Sequence, residues 1–441
     1  MLKRSRNYVA LLLALLMCVS SVIPAFADET FTQTPEGGYT TSDPNAPVPA
    51  VITKNLRMPT GTNVPEAVFV FTAEPMSKDD RTDKDILDEM PSLNNLSVTY
   101  PNLNPGEAET DEVWSIKTET LNILAGVSFN DLGAGVYKYV ITESALLSKV
   151  TNVAPEDHHL FHSDATYILY VYVDNHPAGG TYVYGVGARR VDGIDPETNE
   201  PIGPKVDMRP EGHGMIFNNA YVKQNDPENP DPDIIGEEPD EWGDDVTFTV
   251  SNTVTGRLAD QTLPFEYTII MDGPDIHKDF EWPEYYRAYI VEDGKVIDPK
   301  DNADESLIGT PETGYSYIKI DPLGETTFTL THGQTLVFVD TPVGAKYNIT
   351  QAGQDDYIPS FEITTNSKAG DKESENVGQA IITDWQRIEE PNNSADFVNT
   401  RNHVIPAGLS LANLPFIVMI ALGLGGLVAY MVVGSRRRRN Y

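Results

Sequence analysis

Cysteine is nearly absent from this chain of 441 residues, because Cys18 is the only one. It lies in an apolar segment near the N-terminus that we expect to be removed on export, so the mature protein would contain no thiol. That excludes disulfide bonds, cysteine-based zinc sites and cysteine nucleophiles. Motifs for a serine-hydrolase elbow, a phosphate-binding loop and a dinucleotide site are absent too. We therefore expect no cofactor, and an exported hydrolase is the least favoured class.

Positive charge is also scarce, since 31 Lys and Arg residues stand against 66 Asp and Glu residues and the formal net charge is −35. A nucleic-acid partner is thereby excluded, because such a partner needs a basic face that displaces counterions from phosphate. The one large basic cluster is residues 436–439, at the C-terminus. A large negative charge favours the solubility of an exported protein.

Long apolar runs occur only near the two ends. Basic residues at the start precede the apolar run 8–23 and a small-x-small cleavage pattern at 25–27, so residues 1–27 are predicted to be a secretory signal peptide. Residues 414–433 are uncharged and number 20, enough helix to cross the ~30 Å hydrocarbon layer. We predict a transmembrane helix there, with the basic tail 434–441 in the cytoplasm and the ectodomain outside the cell.

Long helical periodicity is missing between those ends. Short runs rich in aromatic and β-branched residues are separated by Gly, Pro, Asn and Asp, which is typical of strands. We predict an all-β fold of two tandem immunoglobulin-like β-sandwich domains. The polar segment 76–112 is expected to be a loop with a short helix at 83–90. The predicted units are a leader at 28–47, a first domain at 48–223, an acidic Pro-rich linker at 224–245, a second domain at 246–402 and a stalk at 403–413.

The two predicted domains share a pattern that we interpret as a diverged internal repeat. Each has an opening strand, a Phe-rich strand, a Gly followed by Tyr-x-hydrophobic, and a closing Phe-x-Asn. These features lie at 51–56, 68–71, 135–143 and 217–219 in the first domain, and at 248–254, 265–269, 344–351 and 397–399 in the second.

Three polar residues of the first domain are predicted to point into its core. Side chains two apart on a strand share a face, so Ile52 and Leu56 bring Lys54 inward. By the same alternation, Glu143 and Asn219 face inward on their own strands. Alternatively, Lys54 reaches solvent, Glu143 sits at a strand end and Asn219 caps a turn.

Burial of these groups suggests a reaction. Desolvation lowers the pKa of a lysine and raises that of a glutamate, so both can become neutral. A neutral Lys54 amine can attack the side-chain amide of Asn219 and expel ammonia, with Glu143 relaying the proton. The product would be a Lys–Asn isopeptide bond that joins the first strand of the domain to the last.

The motifs strengthen that hypothesis by resemblance. Residues 51–54 (VITK), 135–143 (GVYKYVITE) and 217–221 (FNNAY) resemble the pilin isopeptide-linkage domain of Gram-positive pilus shaft proteins. The resemblance implies that Lys54 bonds to Asn219 and that Glu143 is catalytic. Asn219 is preferred over Asn218 because Asn218 should point to solvent.

The second domain resembles the companion C-terminal pilin module, which is Cna-B-like. The residues that carry this likeness are 253–256, 328–334, 342–345 and 396–399. The chain departs from the pattern by having Asn252 in place of Lys and Gln351 in place of Glu, while Asn399 remains. We therefore expect no isopeptide bond there, and a neutral hydrogen-bonded cluster of the three amides instead.

Residues Val404, Ile405, Pro406, Ala407 and Gly408 precede the apolar segment and the basic tail. Motif, apolar span and tail in this order resemble a sortase sorting signal of the hydrophobic-Pro-Thr-Gly form, with Ala407 in place of Thr. The resemblance implies cleavage between Ala407 and Gly408 and attachment to a neighbouring pilin subunit or to peptidoglycan. Alternatively, the motif is a linker before a permanent membrane anchor.

The leading functional prediction is a structural protein on the surface of a Gram-positive bacterium, either a pilus shaft subunit or a wall-anchored stalk. The alternative is a membrane-anchored adhesin whose loops, at 76–112 or 271–316, bind a host ligand. Lys205 and Lys223 are candidate acceptors for polymerisation, although each is more simply a solvated charge. Residues 157–162 (DHHLFH) are interpreted as a polar loop, and no metal site is expected.

Overall fold

We analysed a computed structural model of the chain. It describes residues 31–33, 38–103, 109–110, 114–194, 201–209, 213–224, 248–273, 283–311, 314–390, 392–401 and 419.

Over its described residues, the first domain has sixteen strands, one short α-helix and a 3-10 turn at Pro155–Asp157. The helix α1 lies within the predicted 83–90 segment, which confirms that expectation. The elements are β1 (Phe31–Gln33), β2 (Tyr39–Thr41), β3 (Val51–Pro59), β4 (Ala67–Lys78), α1 (Lys84–Glu89), β5 (Ser97–Tyr100), β6 (Glu109–Thr110), β7 (Trp114–Asn122), β8 (Gly135–Glu143), β9 (Lys149–Val150), β10 (His158–Phe161), β11 (Thr166–Asn175), β12 (Thr181–Arg190), β13 (Gly193–Ile194), β14 (Pro201–Ile202), β15 (Lys205–Val206) and β16 (Met215–Lys223).

Two sheets of the first domain enclose one hydrophobic core. The nine-stranded sheet has the order β1-β2-β12-β11-β8-β4-β5, with β15 beside β12 and β9 beside β4. The five-stranded sheet has the order β10-β16-β3-β7-β6. Alternate residues of each sheet point into the core, for example Ile52 and Leu56 of β3 against Tyr139 and Ile141 of β8. The core therefore lies between β3 and β8, the strands that carry two of the predicted site residues.

Within the described residues the second domain also has a nine-stranded and a five-stranded sheet, formed by fourteen strands, and its parallel pair β17–β30 lies in the nine-stranded sheet. Its nine-stranded sheet has the order β21-β22-β19-β24-β17-β30-β26-β27, with β20 beside β19, and its five-stranded sheet has the order β23-β18-β25-β28, with β29 beside β25. The strands are β17 (Phe248–Thr255), β18 (Phe265–Asp272), β19 (Tyr286–Glu292), β20 (Lys295–Ile297), β21 (Ile308–Gly309), β22 (Tyr317–Ile320), β23 (Glu325–Leu330), β24 (Gln334–Phe338), β25 (Lys346–Gln351), β26 (Ile358–Thr365), β27 (Lys368–Ser374), β28 (Ile381–Ile382), β29 (Gln386–Arg387) and β30 (Ser394–Thr400).

The all-β prediction is confirmed, but three segments differ from their expected form. The predicted leader contributes β1 and β2, and β2 pairs with β12 at the edge of the first sheet. Segment 76–112 contains β5 and β6 as well as α1, because its backbone groups pair with β4 and β7. Segment 271–316 contains β19, β20 and β21, so part of it belongs to a sheet rather than to a loop.

The predicted transmembrane helix at 414–433 lies outside the described residues, apart from Met419. Among the helices of the described ranges, none combines the length and the apolar character needed to cross a membrane. The predicted signal peptide at 1–27 and the tail at 434–441 also fall outside those ranges.

The two domains contact each other through a small set of polar residues. Glu390 Oε1 lies 2.6 Å from Lys223 Nζ, and Glu390 Oε2 accepts a hydrogen bond from the Asn63 N–H at 2.6 Å. Gln224 Nε2 donates to the Asp340 carbonyl at 3.1 Å. We call these five residues the domain junction. The linker at 224–245 was predicted to separate the two bodies, yet its first residue already binds the second domain.

Candidate functional site

Strands β3 and β16 of the first domain lie side by side in parallel. In this register Lys54 pairs with Phe217, and Leu56 pairs with Asn219. Their side chains face the core, and Lys54 is fully buried while Asn219 is 1% exposed. On the opposite face Asn218 is exposed, as the alternation predicts. The sequence therefore brings a lysine and an asparagine together inside the domain.

Entry of β16 beside β3 depends on Gly214. This residue has a φ of +62°, and an added Cβ would collide with the carbonyl of Val51. Glycine adopts that conformation without a steric cost, whereas an L side chain does not. Gly214 thus lets β16 approach β3 closely enough for the side chains of Lys54 and Asn219 to meet.

Glu143 approaches from the facing sheet, at the end of β8, and its side chain is fully buried. Glu143 Oε2 lies 2.8 Å from Lys54 Nζ, and Glu143 Oε1 accepts a hydrogen bond from Asn219 Nδ2 at 2.7 Å. Lys54 Nζ also donates to Asn219 Oδ1. All three predicted residues therefore contact one another.

Burial and hydrogen bonding set the charges of the pair. Burial lowers the pKa of Lys54 to about 8, against the opposing effect of the Glu143 carboxylate. Burial alone would raise the pKa of Glu143, but hydrogen bonds from His162, Lys54 and Asn219, with the lysine charge, hold it below its usual range. The sequence argument thus gave the right direction for the pKa of Lys54 and the wrong one for the pKa of Glu143, because it did not include these donors.

Two further groups touch the same site and were not predicted. His162 Nδ1 lies 3.1 Å from Glu143 Oε1, and the Ser163 N–H donates to Asn219 Oδ1 at 3.0 Å. The sequence argument assigned His162 to a polar loop. His159, three residues earlier, contacts Gln224 of the domain junction, so only His162 of the two contacts Glu143.

The corresponding site of the second domain contains three buried amides. β17 and β30 pair in parallel with Asn252 opposite Phe397 and Val254 opposite Asn399, the register of the first domain. Asn399 Nδ2 donates to Asn252 Oδ1 at 3.0 Å, and Gln351 Nε2 donates to Asn399 Oδ1 at 2.6 Å. The three side chains are neutral and hydrogen-bonded, and none of them is an amine.

Other predicted site residues lie elsewhere. Lys205 is exposed on β15, and Lys223 is held by Glu390 at the domain junction. The sorting motif at 404–408 lies outside the described residues.

Comparison with known proteins gives the following likenesses. A family described as a domain of unknown function, DUF7601, matches residues 247–401. A major pilin from Streptococcus pyogenes is 18% identical over 81% of this chain and 100% of its own, with a TM-score of 0.29. The T3.2 major pilin of the same organism is 16% identical over 80% of this chain and 98% of its own, with a TM-score of 0.28. A pilus-presented adhesin, Spy0125, is 10% identical over 81% of this chain and 100% of its own, with a TM-score of 0.21. No curated protein matches the sequence.

Proposed function

We propose that this chain is a structural cell-surface protein, a pilus shaft subunit or wall-anchored stalk, whose first domain cross-links itself through an isopeptide bond between Lys54 and Asn219. The observation that carries the proposal is the contact of Lys54 Nζ with the Asn219 side chain beside the buried Glu143. Groups held in contact react as if at an effective concentration of ~10⁵ M or more.

The reaction begins with proton transfer along the hydrogen bond between Lys54 and Glu143. The lowered pKa of Lys54, about 8, makes its neutral amine accessible, and Glu143 Oε2, a carboxylate oxygen 2.8 Å from Nζ, is the base that takes the proton. The nitrogen lone pair then attacks Cγ of Asn219 and forms a tetrahedral intermediate.

Collapse of that intermediate expels the Asn219 nitrogen. Glu143 Oε1 already contacts Nδ2, so the carboxylic acid is placed to protonate the leaving group. The Cγ–Nδ2 bond breaks as the C=O bond re-forms, and Glu143 accepts the second proton that the lysine nitrogen loses. Both protons end on the departing nitrogen, so one ammonium leaves and Glu143 returns to its carboxylate form.

The product stabilises the domain. The bond closes a loop of 165 residues, and the chain-entropy treatment of cross-links gives about 5 kcal/mol for such a loop. It also removes the buried ammonium of Lys54, and the Glu143 carboxylate keeps its contact with His162 Nδ1. A surface protein without disulfides gains from such a cross-link.

Intact-mass measurement tests the proposal. The mature chain should weigh one ammonia less than its sequence, and a tryptic digest should give a branched peptide containing Lys54 and Asn219. Replacing Asn219→Ala or Glu143→Ala should abolish the loss, whereas Asn218→Ala, which changes the exposed neighbour, should not. Recovery of the two peptides separately and unmodified from the parent protein would refute the cross-link.

Assembly is tested separately on cell-wall extracts. If a sortase joins Ala407 to an amine of the next subunit, detergent and heat leave a ladder of covalent multimers. An ectodomain that ends at Ala407 and is joined to peptidoglycan would support the stalk. A monomer alone, still attached to the membrane, would contradict both forms and favour a membrane-anchored adhesin.

A further inference from the structure

Two groups outside the three predicted residues touch the atoms that would react. We propose that His162 is a positioning residue of the cross-linking site and that the backbone N–H of Ser163 is its oxyanion donor. The inference rests on the proposed isopeptide reaction and adds to it the segment that follows β10. That segment reaches the site because β10 pairs with β16, the strand that carries Asn219.

The Ser163 N–H is placed where negative charge develops. Attack on Cγ of Asn219 moves charge onto Oδ1, and the Ser163 N–H donates to that atom at 3.0 Å. The other donor to Oδ1 is Lys54 Nζ, which is consumed as the nucleophile. Ser163 therefore supplies the hydrogen bond that persists through the reaction, and a backbone donor needs no reorganisation.

His162 acts through Glu143. Because a carboxylate only accepts hydrogen bonds, Nδ1 carries the hydrogen in the 3.1 Å contact with Oε1. Oε1 is thus shared by His162 and Asn219, which leaves Oε2 directed at Lys54. This arrangement orients the carboxylate and keeps it ionised until Lys54 gives up a proton. His162 also links the site to solvent, since its side chain is 27% exposed while that of Glu143 is fully buried.

The second domain supports this assignment by what replaces His162. In the first domain the pairing of β10 with β16 ends at Phe161 opposite Ala220, so His162 is one position beyond it, on the side of Asn219. In the second domain Pro359 pairs with Asn399. A proline side chain has no hydrogen-bond donor, and it occurs in the domain that also lacks the reactive lysine and glutamate. The histidine position and the reactive groups therefore change together.

The test follows the rate of ammonia loss as the complete chain folds. Unfolded, unlinked chain is diluted from denaturant, samples are quenched with acid at intervals, and intact mass gives the linked fraction. Circular dichroism records folding in parallel, so the two rates are separated. His162→Ala should slow the cross-link about 10- to 100-fold, the effect of one hydrogen bond to a charged group. His162→Asn, which keeps a donor near the Nδ1 position, should restore most of the rate, and His159→Ala is the matched control.

The pH profile separates positioning from folding. The titratable groups around Glu143 are Lys54 on β3, His162 after β10 and Tyr100 on β5. The rate should fall in acid as Glu143 becomes protonated. Loss of the His162 donor raises the pKa of Glu143, so in His162→Ala this fall should begin at higher pH, and His162→Asn should move it back.

Ser163 is tested by removing its N–H, with a second variant that removes only its hydroxyl. Ser163→Pro should slow the reaction by about 10²-fold, as removal of an oxyanion donor does elsewhere, whereas Ser163→Ala keeps the N–H and should react normally. Parent-like rates and an unmoved acid limit in His162→Ala would overturn the role of His162, and a parent-like rate in Ser163→Pro would overturn that of Ser163. If the parent protein itself never loses ammonia, the proposed function fails instead.

Discussion

Two buried carboxylates show how local donors decide the charge of a side chain. Glu143 is surrounded by donors that include His162 and Lys54, and its pKa is lowered despite burial. Asp340 is buried at the domain junction, where it accepts hydrogen bonds from the Arg287 N–H at 3.2 and 3.3 Å. The Arg287 Nη1 atom is 4.0 Å from Asp340 Oδ2, and burial dominates, so the pKa of Asp340 rises to about 7. Burial therefore ends in a lowered pKa for Glu143, which has several donors, and in a raised pKa for Asp340, which has fewer.

Asp340 makes the stability of the second domain depend on pH. Its pKa in the folded state is about 7, above the usual 3.8, so between those values the folded state binds more protons than the unfolded state. Its contribution to the free energy of unfolding is complete below about pH 4 and lost as pH rises through about 7. Asp340→Asn should remove this decline, so denaturant titrations should show the variant as the more stable protein at about pH 8.

The control for this experiment is Asp384→Asn, which changes an exposed carboxylate of the same domain. Its stability should follow that of the parent protein at every pH. Parallel curves for the parent and Asp340→Asn would contradict the prediction.

At the scale of strands, alternation predicts faces but not partners. It identified Lys54, Glu143 and Asn219 because the apolar residues two positions away on the same strands, Leu56, Ile141 and Phe217, are buried in the core. His162 follows β10, whose four residues are all half-buried and give no inward or outward signal. Its contact with Glu143 depends on the pairing of β10 with a strand about 60 residues later, which no local pattern encodes.

The sequence pattern did not predict the edge strands of the first domain for a related reason. The strands β1 and β2 have three residues each, too few for alternation to be recognised, and their pairing with the edge of a sheet determines their form. The repeat between the domains was more visible, because the order of the corresponding strands and their aromatic residues persist where the proposed reactive residues do not.

The shared register predicts that the second site can be made reactive. Asn252→Lys with Gln351→Glu should place an amine and a carboxylate beside Asn399, as β3, β8 and β16 do in the first domain. Intact mass should then show the loss of a second ammonia. Adding Pro359→His should accelerate it, because the histidine would occupy the position opposite Asn399.

The single variant Asn252→Lys is the control for the second site. It buries an ammonium without a counter-charge, so it should lower the unfolding temperature and lose no ammonia from the second domain. If the double variant folds but loses no ammonia from the second domain, the shared strand register is not sufficient for the cross-link. Loss of two ammonia molecules from the parent protein would contradict the difference between the domains.

At the scale of the whole molecule, the domain junction sets how the two domains move. Glu390 binds Lys223 and the backbone of Asn63, two separate parts of the first domain, and its side chain is 8% exposed. The Val343 N–H adds a bond to the Lys223 carbonyl at 3.0 Å. Contacts at several points restrict rotation more than a single tether does.

Glu390→Ala should therefore broaden the distribution of distances between the domains. Spin labels at Asp174→Cys and Glu373→Cys, both exposed, would report that distribution by double electron–electron resonance in a Cys18→Ser background. The parent protein should give a narrow distribution. The variant Glu362→Ala should as well, because it removes an exposed ion pair within the second domain. An equally narrow distribution in Glu390→Ala would contradict the prediction.

The closeness of the junction to Asn219 has a mechanical consequence. Lys223 ends the strand that carries Asn219, so tension that arrives from the second domain enters β16 only four residues from the proposed bond. From there it would pass through a covalent link into β3 and on toward the N-terminus. The polypeptide between residues 54 and 219 lies outside that load path. A pulling force on the protein would therefore place no tension on this part of the first domain.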